Sequence, residues 1–336
     1  MNQAELPAHR RASLSWMFGL ALSLALPALL PSTVYAQAWP AKPVRIVVGG
    51  PAGGTADTLG RLLAEGMTHA FGKPVIVESR PGAAGAIAVG ALLSSPHDGY
   101  TLLLIQGGIV SETPLAVKVS FNPFKDLKPV AQVARTGLVL VGNPKLPAKN
   151  LGELVSYIKS NPGKVDYASY ATGMRGQTMG VQFNRLAGLD MDHVGYKGSP
   201  PALQDVMGGH VPLMFDGLAT SLPLISAGKL KAYAVAYPKR IPALPDVPTF
   251  AELGYPAMTE SGWMGLWVPP DVPDAVQEKI RAVTLQVMQQ QGTRDRIAAM
   301  GMEAGLPLSS EALSKEARAA YERQGELLRS IHFVPE

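Results

Sequence analysis

The stretch Val44-Arg45-Ile46-Val47-Val48-Gly49-Gly50-Pro51-Ala52-Gly53-Gly54-Thr55-Ala56-Asp57 opens a pattern that the rest of the chain repeats. Four of its first five residues are β-branched and apolar, which reads as a short strand over 44–48. A glycine-rich turn follows, and apolar residues then recur at helical spacing over 55–71. The same hand-over returns as a strand over 75–78, an Ala-rich helix over 82–93, and a strand over 100–105. That last strand is a continuous apolar run, suited to burial on both faces. Strand–helix–strand–helix–strand predicts a parallel, doubly wound sheet with right-handed crossovers.

A second set follows the turn-rich stretch 121–127. Strands are expected at 138–141, 165–168, 193–194, 213–215 and 230–236, with helices at 151–160, 176–187, 200–207 and 220–227. The Pro-rich stretch 238–256 reads as surface loop. A strand over 263–268 then precedes two long helices. Val276, Ile280, Val283 and Val287 share one helical face, and Leu313, Ala317, Tyr321 and Leu328 share another. Two helices cannot make a domain alone, so they are expected to return to the first sheet. The expected architecture is an α/β fold of two lobes, two doubly wound sheets flanking a ligand cleft. Lobe 1 is drawn from 39–137 and 263–336, and lobe 2 from 138–262.

Composition narrows the function. With 336 residues, 47% hydrophobic and 17% charged, the chain is globular and long enough for two cores. A formal charge of +4 without a basic block argues against nucleic acid as a partner. The absence of cysteine excludes disulfides, thiolate metal sites and a Cys nucleophile. At the N-terminus, Arg10 and Arg11 precede an apolar run over 14–30 and the small-residue pattern Ala36-Gln37-Ala38. These are the parts of a secretory signal peptide, expected to be removed near residue 38. The run is short and broken by Pro27, which disfavours a membrane anchor. A soluble, exported, periplasmic protein is expected.

The motifs of catalysis are missing. There is no G-x-S-x-G, H-E-x-x-H or G-x-x-x-x-G-K-[ST], and the six histidines are scattered. No cofactor or metal site is expected. What remains is the turn at Ala52, Gly53, Gly54, Thr55 and Asp57, placed between a strand and the start of a helix. Glycines let main-chain N–H groups approach a ligand, and a helix N-terminus favours an anion. The spacing is not that of a dinucleotide or nucleoside triphosphate site, which leaves a carboxylate as the natural anion. Asp57 reads equally as an ordinary acidic residue of a first helical turn. A second glycine-bearing turn holds Ser169, Tyr170, Thr172, Gly173, Arg175 and Gln177, and the two could face each other across the cleft. Arg175 reads either as a solvated side chain on the rim or as a bidentate grip on a second carboxylate. Asp216 completes the candidate set.

Over its whole mature length the chain resembles the Bug family, the extracytoplasmic solute-binding proteins of tripartite tricarboxylate transporters. The resemblance rests on WPAKPVRIVV, PAGGTAD, SRPGAAGAIA, DGYTLL, KPVAQV, DYASY, HVGYKGSPPALQDVMGGHVPLMFD, AGKLKAYAV, RIPALPDVPTFAELGYP and GLWVPPDVP, in the family's order from Trp39 to about Pro270. It implies a type II periplasmic-binding-protein fold, no catalysis, and a ligand carboxylate held by the two turns, often through bridging waters. Ala52, Gly53, Gly54, Thr55 and Asp57 match the first turn of the family; Ala168, Ser169 and Gly173 match the second. The chain departs from the family at Ser79-Arg80-Pro81-Gly82 and Ala86, where an Asn-Arg-Pro-Gly and a later Asn are frequent. It departs again at Met174-Arg175-Gly176-Gln177, where a Thr/Ser-rich run ending in His is common. The resemblance therefore implies a monomeric receptor that passes a small organic acid transiently to membrane transporter subunits. A ligand sensor for a signalling partner is the alternative. A secreted hydrolase with Asp57 or Asp216 as base is the further alternative, and no nucleophile–base pair is visible for it.

Overall fold

The computed structural model describes Met1 and residues 39–259, 261–330 and 332–335. The export segment expected at 1–38 lies, apart from Met1, outside the described residues. In chain order the elements begin with β1 (Val44–Val48), α1 (Thr55–Phe71), β2 (Val75–Ser79), α2 (Ala86–Leu93), β3 (Thr101–Gln106), α3 (Gly108–Ser111), α4 (Thr113–Ala116) and β4 (Lys128–Thr136). They continue with β5 (Leu138–Gly142), α5 (Leu151–Lys159), β6 (Tyr167–Ser169), α6 (Arg175–Ala187), β7 (His193–Gly195), α7 (Ser199–Gly208), β8 (Leu213–Gly217), α8 (Leu218–Ser226) and β9 (Lys231–Ala236). The chain closes with β10 (Gly262–Val268), α9 (Asp274–Gln289), α10 (Gln291–Ala299), β11 (Glu303–Ala304) and α11 (Ser310–Ser330).

The strands form two sheets, in the orders β11-β4-β10-β3-β1-β2 and β7-β6-β8-β5-β9. Each sheet has a parallel part: β2, β1 and β3 in the first, β7, β6 and β8 in the second. The expectation of a wholly parallel first sheet is corrected by β10, which runs antiparallel to β3 and to β4. The physical reason is connectivity. The chain leaves the first sheet along β4 and returns to it along β10, so neighbouring strands there run in opposite directions. At the outgoing crossing, a side chain on Gly137 would lie 2.6 Å from the Ala236 carbonyl oxygen, so only glycine fits.

Both sheets are covered on both faces. On the first, α1 supplies Leu59, Leu62, Leu63 and Met67, and α9 supplies Ile280, Val283 and Val287. The other face is covered by Val89 and Leu92 of α2, Ile109 and Val110 of α3, and Leu313 and Ala317 of α11. On the second sheet, Leu151, Leu154, Met179 and Phe183 of α5 and α6 lie opposite Ala202, Leu203, Val206, Leu218 and Leu222 of α7 and α8. Burying apolar faces in this way, at roughly 25 cal/mol per Å², is what makes the short strands stable. Among the described residues no helix is long and apolar enough to cross a membrane.

Candidate functional site

A cavity of about 380 Å³ opens at the C-terminal ends of the parallel strands of both sheets. Its wall takes Gly49 and Gly50 after β1, Ile105 and Gln106 at the end of β3, Tyr170 to Thr172 after β6, Gly195 at the end of β7 and Gly217 at the end of β8. This is where ligands of open α/β sheets sit, because the helices that follow point their N-termini there.

Five helices do so. The residues preceding α1, α2, α6, α7 and α8 are Gly54, Gly85, Met174, Gly198 and Gly217, and all five line the cavity. None caps its helix with a side chain. By contrast α5, which lies away from the cavity, is capped by Asn150, whose Oδ1 accepts the Glu153 N–H at 2.9 Å. An uncapped N-terminus leaves main-chain donors to be satisfied from outside the helix and carries about half a positive charge. The cavity wall carries no Asp or Glu side chain among the described residues, and Lys197 is its one charged side chain.

The loops are held tightly. Residues 82–85 all have left-handed backbone: φ is 120° at Gly82, 45° at Ala83, 49° at Ala84 and 93° at Gly85. For the two alanines this costs about 1–2 kcal/mol each, and such strain collects where a backbone is shaped for a ligand. It also delays the helix expected from residue 82, which starts at Ala86. Across the cleft, Gly198 has φ 118° and abuts Pro51: a Cβ there would lie 2.4 Å from the Pro51 ring. The first sheet's turn and the β7–α7 connection therefore meet.

The sequence-predicted residues divide into two groups. Gly54, Thr55, Tyr170 and Thr172 line the cavity. Ala52 and Gly53 are exposed on the outside of their turn. Asp57 is buried and braces that turn, accepting from Gly53 N at 3.0 Å and from the Arg61 guanidinium at 2.9 and 3.0 Å. Burial pushes its carboxyl up, but the bonds from Arg61, Gly53 and Ser79 outweigh this and hold it below the usual carboxylate range. Ser169 is fully buried, donating to Ala171 O at 3.0 Å with His193 Nε2 at 2.7 Å. Gln177 accepts the Gly173 N–H at 2.8 Å, which ties both residues into the turn. Asp216 is fully buried behind α7 and α8, accepting from Ser199 at 2.5 Å, Thr220 at 2.6 Å and Ser221 at 2.7 Å. Burial pushes its carboxyl up, against these bonds. These residues shape the wall rather than form it.

Arg175 is found in neither of the two expected places. Its side chain, 13% exposed, pairs with Glu112 at 3.2 Å in a smaller cavity of about 50 Å³ beside the main one. The guanidinium fills the space where Gly262 lacks a side chain. Sequence reasoning missed the Gly82–Gly85 loop, Gln106, Thr136 and the Tyr196-Lys197-Gly198-Ser199 connection, all on the wall. The glycines before α2 and α7 were the available signal for two of these. Gln106 and Thr136 carry none, because only the tertiary fold brings the ends of β3 and β4 to the cavity.

Comparison with known proteins agrees with this geometry. Residues 59–333 match the family model described as the tripartite tricarboxylate transporter family receptor, TctC. BugT of Bordetella pertussis is 34% identical over 278 residues, covering 81% of this chain and 84% of BugT. Among solved structures, R. palustris Rpa4515 with adipate is 29% identical with a TM-score of 0.86, covering 89% of this chain and 100% of that one. MatC from Rhodopseudomonas palustris with bound malate is 29% identical with a TM-score of 0.81, covering 86% and 99%. The chain belongs to the tripartite tricarboxylate transporter receptor family, the Bug family of two-lobed periplasmic solute-binding receptors.

Proposed function

We propose that the protein captures a small organic acid between its lobes in the periplasm and hands it, unchanged, to the membrane subunits of a tripartite carboxylate transporter. The observation that carries this is the convergence of five uncapped helix N-termini on one cavity whose wall carries no carboxylate among the described residues. Residues 39–137 with 263–336 act as one moving body and 138–262 as the other, acting as a monomer. Gly54, Thr55, Tyr170 and Thr172 take the ligand. Ala52, Gly53, Asp57, Ser169, Gly173, Gln177 and Asp216 hold the loops that present it. The receptor reading is favoured over a hydrolase because the one Ser–His contact at the site, Ser169 to His193, has a fully buried hydroxyl that no substrate reaches.

The acids carried by the R. palustris proteins, adipate and malate, are the first ligands to try by calorimetry and thermal shift. At about 100 times its dissociation constant a true ligand adds ~2.7 kcal/mol to stability, and it is recovered chemically intact. A panel of mono-, di- and tricarboxylates at millimolar concentration that leaves the melting temperature unmoved overturns the reading.

A further inference from the structure

Several cations near the main cavity are already paired by the protein. Arg61 is bound to Asp57, Arg80 to Glu78, and Arg175 to Glu112. Lys197 lines the cavity and is exposed, with no hydrogen-bond acceptor or carboxylate partner among the described residues. It precedes Gly198, the residue seated on Pro51, so it stands where the two lobes close. The rest of the wall has two chemistries. Main-chain donors crown the helix N-termini, and Ile105, Val117, Leu138, Met174 and Met264 make apolar surface. A dry cavity of about 150 Å³ holds a benzene ring, so about 380 Å³ leaves room well beyond a four-carbon acid. A small acid would leave this apolar surface wetted and unused.

Resting on the carboxylate-receptor reading, we propose that the ligand is a dicarboxylate whose charged ends are separated by an apolar body of about six carbons. One carboxylate sits against the helix N-termini, the body lies along the apolar wall, and the second carboxylate pairs with Lys197. Lys197 is thereby the residue that selects a diacid over a monoacid. A mobile ammonium at the mouth suits this role, because it reaches the distal carboxylate without fixing the length of the ligand.

The test is isothermal titration of the purified protein with suberate, octanoate and succinate, repeated on Lys197→Gln and Lys197→Arg. Suberate is expected to bind at least about tenfold more tightly than octanoate or succinate. Lys197→Gln is expected to weaken suberate about tenfold while leaving octanoate within about twofold, and Lys197→Arg to restore most of the loss. An unchanged melting temperature of the ligand-free variants establishes that they fold. Equal affinity for suberate and octanoate, or equal losses for both in Lys197→Gln, overturns the assignment to Lys197. Succinate binding as tightly as suberate overturns the long apolar body. Binding of malate or adipate alongside either of these results leaves the carboxylate receptor standing. No response to any of the five acids removes that reading, and this one with it.

Discussion

Ala83 and Ala84 are the residues whose conformation their own chemistry opposes. Both are left-handed, and Gly85 beside them cannot give ground, since a Cβ there would lie 2.5 Å from Ile105 Cδ1. Replacing Ala84 with glycine removes the Cβ–carbonyl crowding and raises the entropy of the unfolded chain by a smaller amount. Ala84→Gly is therefore expected to stabilise the ligand-free protein by about 0.5–1 kcal/mol, read from a denaturant melt. A loss of stability would show that the alanine methyl packs usefully in the loop. Asp216 is the converse case, a residue whose value lies in three hydroxyl partners on two helices. Asp216→Ala takes the acceptor from the buried Ser199 and Ser221 hydroxyls and is expected to cost about 3 kcal/mol, with Asp216→Asn costing clearly less. Equal losses in the two variants would mean that the carboxylate's charge, not its acceptor oxygens, matters.

At the scale of elements, the difference between α5 and the five helices of the cleft is a difference in first residues. Asn150 satisfies its own helix, whereas glycines and a methionine leave theirs without a side-chain cap. The turn between β6 and α6 adds a pH dependence. His193 at the start of β7 is partly buried beside Ser169 and the Tyr167 ring, and burial pushes its pKa down to about 4 from the ordinary 6.5. The folded protein thus binds this proton less tightly than the unfolded chain does. Its stabilising effect is full above about pH 6.5 and is lost as pH falls toward 4, a loss of about 3 kcal/mol across that window. Chemical denaturation between pH 7 and 4 is expected to show this slope, and His193→Gln to flatten it. An identical slope in the variant would place the acid sensitivity elsewhere.

Across the whole molecule, closure is held by contacts that join the elements of the two sheets. Glu112, between α3 and α4, pairs with Arg175 at the start of α6; Thr113 donates to Met174 Sδ at 2.8 Å; Pro51 meets Gly198. A cation on the first residue of a helix opposes the helix dipole, so the pair with Glu112 is what makes Arg175 acceptable there. Removing one partner would strand a buried charge; the double variant Glu112→Gln with Arg175→Met avoids that. It is expected to widen the ligand-free protein in small-angle scattering and to weaken every bound acid by a similar factor, about threefold to tenfold, because only the population of the closed form changes. A loss confined to diacids would instead make Arg175 a ligand contact.

The sequence alone determined the alternation of strands and helices and the placing of glycine turns, suited to an anion, between β1 and α1 and between β6 and α6. Those are local properties: β-branched runs, helical periodicity and the conformational freedom of glycine act over ten residues or fewer. It also let the family resemblance be read from motif order. β4 and α10 were not read, β4 because Pro129, Gln132 and Arg135 interrupt any simple alternation in a strand whose pairing is set by β10 and β11. The site was legible as turns but not as a wall. Asp57, Ser169, Gln177 and Asp216 carry the polar groups that a sequence reader assigns to a ligand, and the fold spends those groups on its own loops. Which side chain faces a cleft depends on the relative placement of the two sheets. That placement arises from contacts between residues far apart in the chain, such as Glu112 with Arg175 and Pro51 with Gly198, so no local pattern encodes it. The tertiary structure alone paired Arg175 with Glu112 and put Lys197 on the cavity wall.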